Sequence, residues 1–137
     1  MHPALPAGSR IRIRCGENAA LAPGDVIALV ADPPIVHRVV GLVRRGPTRF
    51  VITRGDAVCF CDLPVPPSGI LGVVEACDTG GRWRPVGVAS RSGGSGAVVR
   101  QCFYQVVRAS LLIDERLAAV MVRAVGALGA LAGRVVR

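Results

Sequence analysis

Residues 35–43 read IVHRVVGLV and decide the fold, because they form an apolar, β-branched run that contains a single histidine. Such a run is typical of a buried strand. An imidazole on a buried strand costs free energy unless a partner satisfies it. His37 is therefore either a core histidine with a hydrogen bond or a base held rigidly for chemistry, and the local sequence taken alone favours the core histidine.

Short strands separated by turn residues flank this segment on both sides. Residues 10–14 alternate strictly between arginine and an apolar residue, which predicts a half-buried strand, and residues 26–30 predict a more buried one. Further strands are predicted at 49–53, 70–76 and 82–88, whereas residues 62–69 are too rich in proline for regular pairing. The Gly/Pro turns between them predict a mainly β fold over residues 1–88, a compact coiled sheet or partly open barrel.

The last third of the chain has a different composition. Residues 89–97 are rich in glycine and serine, which predicts a flexible linker. Residues 98–137 lack proline, are rich in Ala, Leu and Arg, and have apolar pairs near helical spacing, which predicts a C-terminal helical segment. Gly126, Gly129 and Gly133 weaken the last turns and argue against one continuous helix. On such a helix, five arginines would share a side: Arg108, Arg116, Arg123, Arg134 and Arg137.

Three locations are open to this helical segment: packing on the β domain or on a second copy, lying on a membrane surface, or spanning a membrane. Packing is the expectation the composition favours, and a membrane-surface helix is the next. Residues 117–133 form an apolar run of 17 residues that Arg123 interrupts, whereas a spanning helix needs about 20.

The charge balance excludes one kind of mechanism and argues against one kind of partner. The net charge is +8, and every basic residue among the 137 is arginine, so no lysine of this polypeptide can act as a general base. The sequence lacks the clustered arginine and aromatic residues that single-strand binders use. We therefore expect no nucleic-acid partner.

The five cysteines do not predict a disulfide framework, because their number is odd and nothing in the chain resembles a signal peptide. Cys59 and Cys61 are separated by one residue, which is not the spacing of a zinc knuckle. We expect free cysteines that act as small buried apolar residues, with no metal and no cofactor. A zinc site made by this pair and His37 is a weaker alternative.

Four motifs follow one another in the first half of the chain: MHPAL at 1–5 with Gly8, PGDV at 23–26, VHRV at 36–39 and TRGDA at 53–57. In this order and spacing they resemble the type I signal peptidase superfamily, which also includes the LexA-like self-cleaving repressors. The resemblance covers roughly residues 1–76. The usual bacterial enzymes have lysine where this chain has His37, so the sequence looks like the histidine branch of archaea, the endoplasmic reticulum and some Gram-positive bacteria.

The resemblance implies a serine nucleophile, His37 as its base, and an aspartate from the Gly-Asp motif or shortly after it, either Asp56 or Asp62. A neighbouring base activates a serine hydroxyl, and a carboxylate on the other ring nitrogen fixes the tautomer of the base. Without the resemblance, Asp56 is typical of a turn aspartate that bonds to its own backbone. In the family the serine directly precedes the methionine that matches Met1, so the nucleophile is expected just before Met1 and the polypeptide as given is expected to be inactive.

The resemblance also implies a polypeptide substrate, namely a secretory or membrane precursor protein that pairs as an added strand. Candidate substrate-binding residues are Met1, Pro3, Ile11 and Ile35. Membrane association is implied as well, although the sequence shows no spanning segment and no signal peptide, and the C-terminal helix is the candidate for contact with a membrane surface. The alternative function is a non-catalytic peptide-binding or assembly module on the same scaffold.

Overall fold

The structure, a computed structural model, describes residues 5, 8–16, 21–58, 60–86 and 96–135. Within these ranges the chain forms strands, then helices. The strands are β1 (Arg10–Arg14), β2 (Val26–Leu29), β3 (Ile35–Arg45), β4 (Thr48–Arg54), β5 (Ile70–Asp78) and β6 (Trp83–Pro85). The helices are α1 (Gly96–Ile113) and α2 (Glu115–Val135), and a short 3₁₀ turn, Pro67–Gly69, precedes β5.

The six strands form one antiparallel sheet that does not close. Its order is β1-β5-β2-β3-β4, and β6 pairs with β5. β3 and β4 form a long hairpin, with Arg45 opposite Thr48 and Arg38 opposite Arg54. The predicted mainly β fold followed by helical structure is confirmed at this level.

The predicted strands all form, and three of them, β3, β4 and β5, are longer than the sequence indicated. β3 and β4 continue to the turn at Gly46, which has a φ of 57°. Glycine adopts this left-handed conformation at little cost, so the hairpin can turn tightly there. The proline-rich segment 62–69 makes one isolated bridge, in which Val51 and Val65 exchange two backbone hydrogen bonds of 2.8 Å.

The predicted C-terminal helical segment is confirmed, and it consists of two helices. Asp114 lies between them: its backbone N–H ends α1 on the Ser110 carbonyl, and its Oδ1 accepts the N–H of Arg116 at 2.6 Å. An aspartate at this N-cap position satisfies N–H groups that the first turn leaves unpaired. Gly96 and Ala97, expected in the linker, belong to α1, while residues 89–95 lie outside the described ranges.

α1 packs on β3, and α2 packs on α1. The approach of α1 is close because residue 41 is glycine: a Cβ at Gly41 would overlap the ring of Tyr104. One core lies between the sheet and the helices, and it contains Val43, Phe50, Ile52, Cys61, Phe103, Val107, Leu111 and Ala118. In the part of the chain that the structure describes, no helix is both long and apolar enough to cross a membrane.

A second core lies on the other side of the hairpin and supports the segment around His37. It is formed by Leu21, Ile27, Leu29, Val39, Val51 and Ile70. With packed side chains on both faces, β3 and β4 are rigid, which suits a strand that has to hold a functional side chain.

Candidate functional site

His37 lies near the start of β3, directly opposite Ile27 on β2. Residues opposite each other in an antiparallel pair share a face of the sheet, so the ring lies beside the second core. Ile27 and Val39 on this face are fully buried, whereas the His37 side chain is 25% exposed. The strand is therefore fixed by its neighbours while the imidazole remains accessible.

Asp62 is the partner of His37. Its Oδ2 lies 2.5 Å from Nδ1 of the imidazole and accepts a second hydrogen bond, of 2.7 Å, from the Thr53 hydroxyl. The backbone N–H of Asp62 also donates to the Thr53 carbonyl, at 2.8 Å. Because Thr53 is itself fully buried on β4, the carboxylate is held at two points on the same rigid hairpin as its histidine.

The environment raises the pKa of His37 above its usual value of 6.5. The hydrogen bond to Asp62 is the largest cause, burial of the ring opposes it, and the negative charges of Asp62 and Asp56 add to the increase. Because the carboxylate of Asp62 accepts a hydrogen bond from Nδ1, it favours the neutral tautomer that has its proton on Nδ1. The lone pair of the neutral ring is then on Nε2.

Nε2 faces Gly55, in the turn after β4. A Cβ placed on Gly55 would lie 3.3 Å from Nε2 and 3.4 Å from a methyl group of Val58. Glycine thus leaves just enough room beside the ring nitrogen. No described residue makes a hydrogen bond to Nε2, so within the described ranges this nitrogen is open to a further group.

Asp56 does not bind His37; it binds Arg38. The guanidinium makes a bidentate pair with the carboxylate, Nε to Oδ1 at 2.8 Å and Nη2 to Oδ2 at 2.9 Å. Its third nitrogen, Nη1, donates to the Gly24 carbonyl at 2.8 Å. Of the two aspartates left open by the sequence, Asp62 is therefore the one that orients the histidine, and Asp56 anchors the turn at 55–58.

The sequence reasoning missed Arg38, although a signal for its role was available. Neighbouring residues on a strand point to opposite faces, so His37 and Arg38 have to find separate partners. Arg38 is only 8% exposed, and a guanidinium this buried requires an anion. Through its two contacts Arg38 holds the PGDV turn and the TRGDA turn against the histidine strand.

Two of the four candidate substrate-binding residues, Ile11 and Ile35, lie in the described part of the chain, and they are not neighbours. Met1 and Pro3 lie outside the described residues. Ile11 is half-buried on β1 and packs against a small cluster that includes Val26 and Val74. Ile35, two residues before His37, is 42% exposed, and β5 and β2 lie between its strand and that of Ile11. The structure thus places Ile35 near the candidate base and does not bring Ile11 to it.

Cys61 is a buried free thiol next to Asp62 in the chain. Burial raises its pKa to about 11, so it stays protonated at neutral pH and is a poor nucleophile and a poor metal ligand. Among the described residues, no three His, Cys, Asp or Glu side chains are placed to hold a metal ion; Cys59 lies outside them.

The chain was compared with protein-family models, curated proteins and solved structures, and none of them matches it.

Proposed function

We propose that this chain is a serine endopeptidase of the signal peptidase type, acting on secretory or membrane precursor proteins. One observation carries the proposal: His37 is held by Asp62 at 2.5 Å through Nδ1, while Nε2 faces the space left by Gly55. A partly exposed imidazole with a carboxylate on one ring nitrogen and free space at the other is the arrangement that a general base requires. The open sheet is compatible with a coiled, partly open barrel of the same type.

The chemistry assigned to these residues has two halves. The attacking serine, which the resemblance places directly before Met1, gives its hydroxyl proton to Nε2 of His37 as its oxygen bonds to the scissile carbonyl carbon. The imidazolium, stabilised by Asp62, then protonates the departing amine, so that the peptide C–N bond breaks and an acyl-enzyme remains. Water then gives a proton to Nε2 as its oxygen bonds to the acyl carbon. When the bond between that carbon and the serine oxygen breaks, Nε2 returns the proton to the serine, which releases the acid and regenerates both serine and base.

Asp56 and Arg38 are positioning residues in this proposal. Their bidentate pair fixes the turn that contains Gly55, and therefore the space in front of Nε2. The exposed side chain of Ile35 is the substrate-contacting residue that the geometry supports best, because it lies on the histidine strand.

The test uses a protein in which a serine precedes Met1. A fluorophosphonate probe, which reacts with activated serine hydroxyls, should label this serine, and the protein should cleave a secretory precursor. His37→Ala should abolish both reactions, while circular dichroism and thermal unfolding show a folded protein. Asp62→Asn should reduce both strongly, and Asp32→Asn, the same change at an exposed aspartate, should leave both unchanged.

Two results would decide against the proposal. Full labelling in His37→Ala would mean that the imidazole is not the base. A folded, serine-bearing protein that is neither labelled nor active, yet still binds an extended peptide, would support the alternative of a non-catalytic peptide-binding or assembly module.

A further inference from the structure

One face of α2 points away from the rest of the protein and is both apolar and basic. We call it the α2 outer face and define it by Arg116, Leu117, Val120 and Arg123. Val120 is 60% exposed and Leu117 40% exposed, and both arginines are exposed. Ile113, the last residue of α1, extends the apolar part and is 71% exposed.

The opposite face of α2 explains why this one is left uncovered. Ala118 is fully buried, and Val122 and Val125 pack against the core between the sheet and the helices. These residues follow helical spacing, so they form the one face of α2 that is buried against the core. Single exposed apolar residues are normal on a protein surface, but here Leu117 and Val120 lie on the same side of α2 as two exposed arginines.

The charge of the α2 outer face is not neutralised within the described structure. Arg116 and Arg123 make no ion pair with a described residue, and the acidic side chains at the start of α2 are both engaged. Asp114 caps the helix, and Glu115 binds Arg45 at 3.0 Å. From residue 116 to residue 137 the sequence contains four arginines and no acidic residue.

We infer that the α2 outer face binds the surface of an anionic lipid bilayer, with Leu117, Val120 and Ile113 entering the headgroup region. Helices with an apolar strip and a basic flank lie in this way in the plane of the interface. Arginine suits the boundary, because its stem lies along apolar surface while its guanidinium meets lipid phosphate. A second copy is the poorer occupant, since it would bring arginine against arginine.

This inference does not rest on the proposed function. Arg45, which contacts the first residue of α2, is eight residues along β3 from His37, about 26 Å at the rise of a strand. Changes on the α2 outer face therefore leave the candidate base and its carboxylate untouched, and lipid binding is measured without any peptidase substrate.

The test is flotation of the full chain with vesicles of phosphatidylcholine alone and of phosphatidylcholine mixed with phosphatidylglycerol. We expect binding to the anionic vesicles only, and weaker binding as salt is added. The double variant Arg116→Gln/Arg123→Gln should lower the partition coefficient about 25-fold, about fivefold for each arginine. Val120→Gln should lower it several-fold, because it removes apolar surface that enters the bilayer.

The matched control is Arg82→Gln/Arg84→Gln, which makes the same change in net charge at two exposed arginines on and beside β6. This variant should bind within about twofold of the unchanged protein. Equal losses in the two double variants would show attraction by net charge alone and would overturn the inference. So would equal binding to neutral vesicles, or a dimer that Val120→Gln dissociates in a protein that does not bind vesicles.

Discussion

The substitution Asp62→Asn tests the candidate site most directly. Asparagine keeps the size of the side chain, and its carbonyl oxygen can still accept the hydrogen bond from Thr53, so the fold should survive. What is removed is the carboxylate 2.5 Å from Nδ1 of His37, whose hydrogen bond is the largest cause of the raised pKa and whose negative charge adds to it. Burial, which acts in the other direction, then opposes only the more distant charge of Asp56, and the pKa of His37 should fall.

The change in stability should depend on pH with a defined sign. Because the pKa of His37 is raised in the folded state, the stabilisation is fully present below about 6.5, the unfolded value, and is lost as the pH rises through the folded value. A hydrogen bond to a charged group contributes about 1.5–3 kcal/mol, and partial exposure of this pair reduces that to about 1 kcal/mol. Asp62→Asn should therefore cost about 1 kcal/mol at pH 5.5 and much less at pH 8.5.

Two measurements test the predicted changes in the pKa of His37 and in stability. The chain has only two histidines, so NMR titration of the imidazole protons gives two curves, and His37→Gln identifies the relevant one. Urea unfolding at the two pH values gives the stability difference. In a serine-bearing protein the rate of cleavage should fall by about 10⁴, the loss known for the same change in Ser-His-Asp triads. An unchanged pKa of His37 in Asp62→Asn would refute the assignment of this carboxylate.

Three further predictions concern neighbouring features. Asp56→Asn should lower the pKa of His37 less than Asp62→Asn does, but should cost more stability in urea unfolding, about 2–3 kcal/mol, because the buried guanidinium of Arg38 loses its counter-charge and one of its two hydrogen bonds to residue 56; a fall in the pKa of His37 as large as that in Asp62→Asn, or no loss of stability, would contradict the pairing. Gly55→Ala should reduce probe labelling at least about tenfold, because the new Cβ crowds Nε2. The free energy of unfolding should fall by only about 1 kcal/mol, because the φ of residue 55 is not in the left-handed region and alanine can adopt it. Unimpaired labelling would show that this space is not used. Asp114→Ala should cost about 1 kcal/mol and some helical circular dichroism while leaving the pKa of His37 unchanged; no loss would mean that the cap contributes nothing.

The strands were predictable from the sequence because their signals are local. The alternation of arginine and apolar residues in β1 and the apolar run of β3 depend only on residues within each strand. The position of the break in the helical segment was harder to predict. The sequence indicated weak turns at Gly126, Gly129 and Gly133, whereas the helices separate at Asp114, an aspartate followed by helix-forming residues that caps α2.

The choice between Asp56 and Asp62 could not be made from the sequence. The two residues follow the same strand six positions apart, and their partners depend on the path of the loop between them. That path is fixed by the backbone hydrogen bond from Asp62 to Thr53 and by the bridge between Val51 and Val65, both of which are contacts made after the chain turns back. The partner of Asp56 is decided by Arg38, whose guanidinium is buried and needs an anion. The extent of this burial is visible only in the folded sheet.

The protonated thiol of Cys61 makes the loop that contains Asp62 observable in solution. This thiol lies in the core between the sheet and the helices, so it can be alkylated only when that core opens, whereas the exposed Cys15 and Cys102 react at once. The ratio between the alkylation rate of Cys61 and that of an unprotected thiol therefore measures the opening equilibrium of this part of the fold. Because Asp62 is the next residue, the cysteine reports on the stability of the structure that holds the carboxylate beside His37, without any substrate being present.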